Sequence, residues 1–325
     1  MSSYLITGAT GLVGGRLLET IIRKNAKEKP AIILPVRDER RAKQNLEKYI
    51  ANIEDVRFVA CDVTDMTQER FPSDIAVEYI LHCAAPTDSA YMASHPVETA
   101  DSIVLGTKNA LELARSFQVK SMVFLSSMEV YGVVPAESNL RKEEDLGYLK
   151  LDAPRSSYPV AKRMAEHYCH LYAKEYSVPV KIARLAQVFG RGVRSTDHRV
   201  FMQFANSAKT GKNIVLHTDG KSYGNYCSVE DAVEGILTIL HYGIDGEAYN
   251  VVNEANTMTI REMAELVATK VAAGKIAVQV EKKDFAETGY APHTGLHMSA
   301  EKLRRLGWAP KQDLVSMYKE LLSDV

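Results

Sequence analysis

The chain opens Tyr4-Leu5-Ile6-Thr7-Gly8-Ala9-Thr10-Gly11-Leu12-Val13-Gly14, an apolar run passing through three evenly spaced glycines into a helical pattern. A strand that feeds such a turn and then a helix is tightly constrained. The backbone turns sharply, a ligand can lie close against it, and the last glycine lets helix and strand pack together. The first N–H groups of the helix then point at the turn, which suits a pyrophosphate. In this context the pattern predicts a dinucleotide-binding unit, with Gly8, Thr10, Gly11, Leu12, Val13 and Gly14 as its contacts.

Strand-like and helix-like segments alternate along most of the remaining chain. Strands are expected at Ser3–Thr7, Ala31–Val36, Val56–Ala60, Glu78–Cys83, Lys120–Ser126, Val180–Ala186 and Ala248–Val252. Their Val, Ile and Leu content without strict alternation suits a parallel sheet covered on both faces. Helices are expected at Leu12–Lys24, Arg40–Ala51, Val97–Phe117, Pro159–Tyr176 and Glu230–His241. The alternation predicts an α/β fold, a doubly wound parallel sheet with ligands at the carboxyl ends of its strands. The regularity breaks after Phe189. Gly190–Ser228 reads as loop-rich, and Thr257–Val325 as short helices around a strand-like Ile276–Val280. The expected division is a dinucleotide domain of residues 1–189 plus 229–256, and a smaller, discontinuous α/β substrate domain of 190–228 plus 257–325.

Composition excludes several classes. A net charge of −1 over 325 residues offers no broad basic field for nucleic acid or anionic lipid, and no apolar stretch approaches bilayer length. Cys61, Cys83, Cys169 and Cys227 are scattered without a CxxC pair, as reduced thiols would be. No signal-like segment precedes the first strand, so a soluble cytoplasmic protein is expected. His167 and His170 flank Cys169, and His293 and His297 lie near Pro292 and Gly295. Neither pair has an acidic partner at zinc-ligand spacing, so no metal site is expected.

Tyr158-Pro159-Val160-Ala161-Lys162 sets a phenol and an ammonium one turn apart on a helix that follows the fifth strand region. A nearby lysine cation favours the phenolate, so Tyr158 is a candidate general base or acid. Ser126-Ser127 stands at the carboxyl end of that strand, where this architecture builds its sites.

Four segments occur in order: Thr7–Gly14, Leu81-His82-Cys83-Ala84-Ala85, Ser126-Ser127-Met128-Glu129-Val130-Tyr131-Gly132 and Tyr158–Lys162. Together they resemble the extended short-chain dehydrogenase/reductases, specifically the nucleotide-sugar epimerase/dehydratase group with its Rossmann-type sheet. The similarity runs through Arg184-Leu185-Ala186-Gln187-Val188-Phe189-Gly190 to Leu306-Gly307-Trp308. The resemblance implies Tyr158 as acid/base, Lys162 on the nicotinamide ribose and Ser127 on the reacting oxygen. It implies Asp62 and Val63 at the adenine, Ala84 and Ala85 along the cofactor, and Met128, Glu129, Gln187 and Arg191 toward the substrate. It also implies a homodimer through the helices Val97–Phe117 and Pro159–Tyr176, whose stripes include Tyr168, Tyr172 and Tyr176.

Glu129 matches the glutamate of 4,6-dehydratases and UDP-glucuronate decarboxylases, which assists at C5 once C4 is a ketone. Dehydratases place aspartate just before it, where this chain has Met128. Pro154-Arg155-Ser156-Ser157-Tyr158-Pro159 and Lys162-Arg163 most resemble the decarboxylase branch. The implied function is an NAD(P)-dependent enzyme that begins with hydride abstraction from a sugar ring carbon, C4. Alternatives are a net NADPH-dependent reductase of a 4-keto sugar or other carbonyl, and a non-catalytic dinucleotide-binding sensor. Three positions depart from the family: Ile103 and Gln187 replace asparagines, and Gly224 stands where a diphosphate-binding arginine is usual. Lys221, Arg191, Arg194 and Arg199 are candidates to compensate. At the end of the second strand, Leu34-Pro35-Val36-Arg37-Asp38 puts Arg37 where a carboxylate would hold the ribose diol of NAD. That tilts a choice between NAD and NADP toward NADP.

Overall fold

A computed structural model of the chain describes residues 2–47, 49–50, 56–74, 76–134, 140–282 and 295–324. The first half alternates β1 (Ser3–Thr7), α1 (Leu12–Lys24), β2 (Ala31–Val36), α2 (Glu39–Leu46), β3 (Val56–Ala60) and β4 (Tyr79–His82). Then come α3 (Ser89–Ser94), α4 (Pro96–Ser116), β5 (Ser121–Ser127), α5 (Ser157–Tyr176) and β6 (Val180–Leu185). Beyond them lie β7 (Gln187–Phe189), α6 (Val200–Thr210), β8 (Ile214–Leu216), β9 (Tyr223–Ser228), α7 (Val229–Tyr242) and β10 (Ala248–Val251). The chain continues through β11 (Asn253–Thr259), α8 (Ile260–Leu266), β12 (Val278–Val280) and the helices Glu301–Arg304 and Leu314–Asp324.

Seven strands form one parallel sheet in the order β10-β6-β5-β4-β1-β2-β3. Every residue of β1 is buried, as are the last five of β2. Alternate side chains serve opposite faces. Tyr4, Ile6, Leu34, Leu81, Val123 and Ala183 join the core that includes Leu17, Leu18 and Ile21 of α1 and Ile236 and Leu240 of α7. Leu5, Ile33, Ile80, Phe124 and Ile182 join the core of α4 and α5. Burial on both sides explains the continuous apolar runs.

The helix expected over Arg40–Ala51 begins at Glu39 because Asp38 caps it, accepting the Arg41 N–H at 2.9 Å. Ala51 and His293 lie outside the described residues. The loop-rich expectation for Gly190–Ser228 is corrected. That segment holds α6, β8 and β9, and α6 buries Phe201, Met202, Phe204 and Ala205 before Gly211 stops it at φ +69°. These residues join Phe189, Met263, Met317 and Tyr318 in a third core. Two small sheets accompany it, β11-β9-β7 and β12-β8. No helix among the described residues is long and apolar enough to cross a membrane.

A buried ionic cluster fastens α5 to the sheet. The Glu166 carboxylate accepts Ser126 Oγ at 2.5 Å from β5 and Arg184 Nη2 at 2.7 Å from β6. Arg184 also donates to the Tyr131 hydroxyl at 3.2 Å, and Tyr131 donates to Asn250 Oδ1 at 2.8 Å on β10. One charge cluster thus ties three adjacent strands to the helix carrying Tyr158 and Lys162. Replacing Arg184 with methionine strands Glu166 without its counter-charge, and should cost about 3–5 kcal/mol in urea unfolding. A loss below about 1 kcal/mol would show that the cluster does not anchor α5.

Candidate active site

The chain runs outward from β1 to β2 and β3, then returns to place β4 on the other side of β1. The carboxyl ends of β1 and β4 therefore bound a crevice at the point where strand order reverses. Thr7 holds those ends together. Its Oγ1 accepts the N–H groups of Cys83 and Ala84, each at 3.1 Å, which leaves its own proton for His82 Nδ1 at 2.8 Å. Burial drives the His82 pKa down to about 3, so the ring is neutral.

Gly8, at φ +67°, lies so close to this junction that a Cβ would sit 2.7 Å from Ala84 N. A Cβ on Gly14 would sit 2.4 Å from Gly8 O. Gly11 caps α1 without a side-chain hydrogen bond, and the first turn of α1 carries no acidic residue. Thr10, Leu12 and Val13 are half-buried at this helix start. A cradle built on glycines, at a helix N-terminus with no side-chain cap, fits the pyrophosphate of a dinucleotide.

Asp62, after β3, accepts Thr64 N–H at 3.0 Å and the Thr64 hydroxyl at 2.8 Å, and lies 4.0 Å from Arg37 Nε. Val63 packs on α4, where its Cγ2 would meet a Cβ on Gly106 at 3.0 Å. Ala84 backs Gly8, and Ala85 packs against the α4–α5 core.

At the end of β5 the Ser127 hydroxyl stands near enough to the Tyr158 phenol to favour its ionised form. Ser127 Oγ also accepts the Glu129 N–H at 3.2 Å, capping a single turn over Met128–Tyr131. Tyr158 and Lys162 are both buried. Lys162 Nζ donates to Leu125 O at 2.6 Å and lies 4.6 Å from the Phe124 ring centroid and 5.8 Å from that of Tyr158. Burial lowers the Lys162 pKa to about 8, while the Glu166 carboxylate pulls it back up.

Tyr158 does not show the acidity that its spacing from Lys162 suggests. Burial foremost, and then the Glu129 charge, push its phenol up to about 12; Ser127, Arg155 and Arg199 act the other way. Glu129 is itself paired, with Arg155 Nη2 at 2.9 Å.

Other expected residues fall at varied distances from this centre. Met128 packs on the α1–α7 core, and Gln187 Oε1 is buried without a hydrogen-bond partner. Arg191 lies 3.8 Å from Asp324 at the far end of the chain. Arg199 instead extends its field to Tyr158 while pairing with Asp197 at 2.6 Å. Gly224 has no room for a side chain, since a Cβ there would lie 2.3 Å from the buried Tyr226 hydroxyl. Arg155 pairing with Glu129, and Glu166 beside Lys162, belong to this centre but were not singled out in the sequence. Their signals were the position of Arg155 just before Tyr158, and a glutamate one turn beyond Lys162.

The family model described as "NAD dependent epimerase/dehydratase family" matches residues 4–252. UDP-glucuronic acid decarboxylase 6 of Arabidopsis thaliana is 27% identical over 95% of this chain and 84% of that protein. Human dTDP-D-glucose 4,6-dehydratase is 25% identical over 94% of this chain and 85% of that protein. Among solved structures, UDP-glucose 4-epimerase of Thermotoga maritima superposes with a TM-score of 0.80 at 21% identity, covering 99% of this chain and 98% of that one.

The difference in ultraviolet absorbance between the free protein and Tyr158→Phe should show no tyrosinate at about pH 9. The neutral phenol is favoured by burial, so its ionisation is displaced upward, toward about 12. A tyrosinate step near neutral pH would contradict this balance of charges.

Proposed function

Because the chain belongs to the NAD-dependent epimerase/dehydratase family, we propose that it modifies a nucleoside-diphosphate sugar, beginning with hydride removal from a ring carbinol at C4. The observation that carries this reading is the gathering of Ser127, the buried Tyr158 and Lys162 at the strand-end crevice, with Lys162 Nζ 5.8 Å from the Tyr158 ring. Gly8–Gly14 would hold a dinucleotide, which would supply the hydride acceptor. Ser127 holds the reacting oxygen, and Tyr158 takes its proton. Tyr158 can take that proton only as the phenolate, which must form beforehand and become the phenol in the transfer; holding it requires positive charge, and the cations at hand are Lys162, Arg155 and Arg199.

A ketone at C4 acidifies the C5 proton and turns a C6 carboxylate into a β-keto acid, which loses carbon dioxide readily. We assign Glu129 to this stage, steadied by Arg155. Met128 lacks the proton that a 4,6-dehydration needs for its leaving hydroxyl, and the Arabidopsis relative is named as a decarboxylase. With Gly224 closed off by Tyr226, Arg199 is the arginine we assign to the substrate's anionic group, in preference to Arg191. The third core, carrying Arg199 on the approach to α6, would form the substrate side of the cleft. We also propose a homodimer through α4 and α5. Tyr172 of α5 donates to Glu112 of α4 within the chain, whereas Val97, Leu105, Met164, Leu171 and Tyr176 remain exposed along the two helices. Arg37 favours a second reading, a net reductase of a keto sugar or other carbonyl, because arginine at that position suits NADPH.

The test follows a panel of UDP- and dTDP-sugars by NMR. UDP-glucuronate should give carbon dioxide and a pentose nucleotide, and Tyr158→Phe should lower turnover by about 10²–10⁴ while still binding dinucleotide. Inertness toward every nucleotide sugar would defeat the reading. Turnover indifferent to Tyr158→Phe would defeat the assignment of the acid/base, and dinucleotide binding with no turnover of any substrate would leave a sensor.

A further inference from the structure

We propose that the adenosine end of the crevice is built to receive a ribose 2′-phosphate, so that Arg37 makes this chain select NADP(H) over NAD(H). The proposal rests on the reading above that Gly8–Gly14 binds a dinucleotide, and it concerns the opposite end of that ligand from the chemistry.

The sheet places three chain exits side by side at its carboxyl edge. Gly8 follows β1, Arg37 follows β2 and Asp62 follows β3, with β2 paired to both neighbours. A hydrogen bond from Cys61 N to Val36 O, 2.9 Å long, holds the last two exits level. In a crevice of this kind the residue after the second strand meets the adenosine ribose. A carboxylate there accepts both ribose hydroxyls and repels a phosphate, whereas a guanidinium grips a phosphate and gives the diol no acceptor.

The nearby acids could rescue diol binding only if one of them turned toward the crevice. Each is committed elsewhere. Asp38 Oδ1 accepts the Arg41 N–H at 2.9 Å, so its carboxylate closes the start of α2. Glu39 pairs with Lys43 at 2.8 Å along the same helix. Asp62 receives the Thr64 backbone N–H and hydroxyl at 3.0 and 2.8 Å. Arg37, by contrast, is held loosely. Its side chain is 84% exposed, and its Nε lies 4.0 Å from Asp62, the limit of an ion pair. Such a pair contributes little and leaves the guanidinium open to a doubly charged phosphate. Arg40 and Arg41 follow on the exposed side of α2 and add to the positive field.

Isothermal titration of the intact protein tests this without turnover, using NADP⁺, NAD⁺, and the fragments 2′,5′-ADP and 5′-AMP. The expected result is NADP⁺ tighter than NAD⁺ by about tenfold or more, with 2′,5′-ADP preferred over 5′-AMP in the same ratio. Arg37→Gln should remove that preference while leaving NAD⁺ affinity unchanged, and Arg37→Asp should reverse it. Arg57→Gln, which removes from neighbouring β3 a charge paired with Asp74, should leave both affinities as they are. NAD⁺ binding as tightly as NADP⁺, or a preference that survives Arg37→Gln, would overturn the proposal while the dinucleotide site stands. Failure of both dinucleotides to bind would overturn the proposal together with the reading on which it rests.

Discussion

Everything in this molecule is arranged around one close approach, the backbone of Gly8 against the backbone of Cys83 and Ala84. It occurs because β4 returns to the free side of β1, so two strand ends meet where the sheet changes direction. Thr7 stabilises the meeting by filling both lone pairs of its hydroxyl with N–H groups of the opposite strand end. A side chain at Gly8 would push these ends apart and close the cradle. The helix that starts there presents its first N–H groups uncapped, which is costly in a helix with nothing to face and useful in one that holds a phosphate.

The second constraint is dielectric. Tyr158 and Lys162 are placed by a buried ionic cluster rather than by surface contacts, and burial moves their two pKa values toward neutral forms. The phenol keeps its proton and the amine is readier to lose one. Near neutral pH the phenol is therefore un-ionised, whereas the Lys162 amine, at about 8, still carries its charge. Charge enters from its edges, through Glu129, Arg155 and Arg199. In so buried a site the phenolate forms only in the company of positive charge.

The seven strands of the main sheet were legible because a parallel strand buried on both faces is apolar at nearly every position. The extent of α1 was legible because glycine opens it and Arg23, Lys24 and Asn25 close it. Helix α6 was not. Its neighbourhood is rich in Gly, Arg and Thr, and the buried spacing of Phe201, Phe204 and Ala205 carries meaning only once the third core is known. The glycine cradle and the nearness of Tyr158 to Ser127 could be expected from local motifs. The electrostatics could not: Lys162 four residues from Tyr158 suggests an acidified phenol, but desolvation outweighs it, and the partners that decide the balance come from distant segments. Glu166 and Arg184 are 18 residues apart, and Glu129 and Arg155 are 26 apart. Gly224 shows the reverse case, where a missing arginine was plain in the sequence but the Tyr226 ring that fills the space beside it was not.

The central claim is that one carbinol gives up its proton to Tyr158 and its hydride to the neighbouring dinucleotide. A single turnover with UDP-glucuronate deuterated at C4, followed by mass analysis of the dinucleotide trapped in the reduced form, tests this directly. The account predicts deuterium on the nicotinamide. A reduced dinucleotide without deuterium, or product formed while the label never leaves C4, would contradict it.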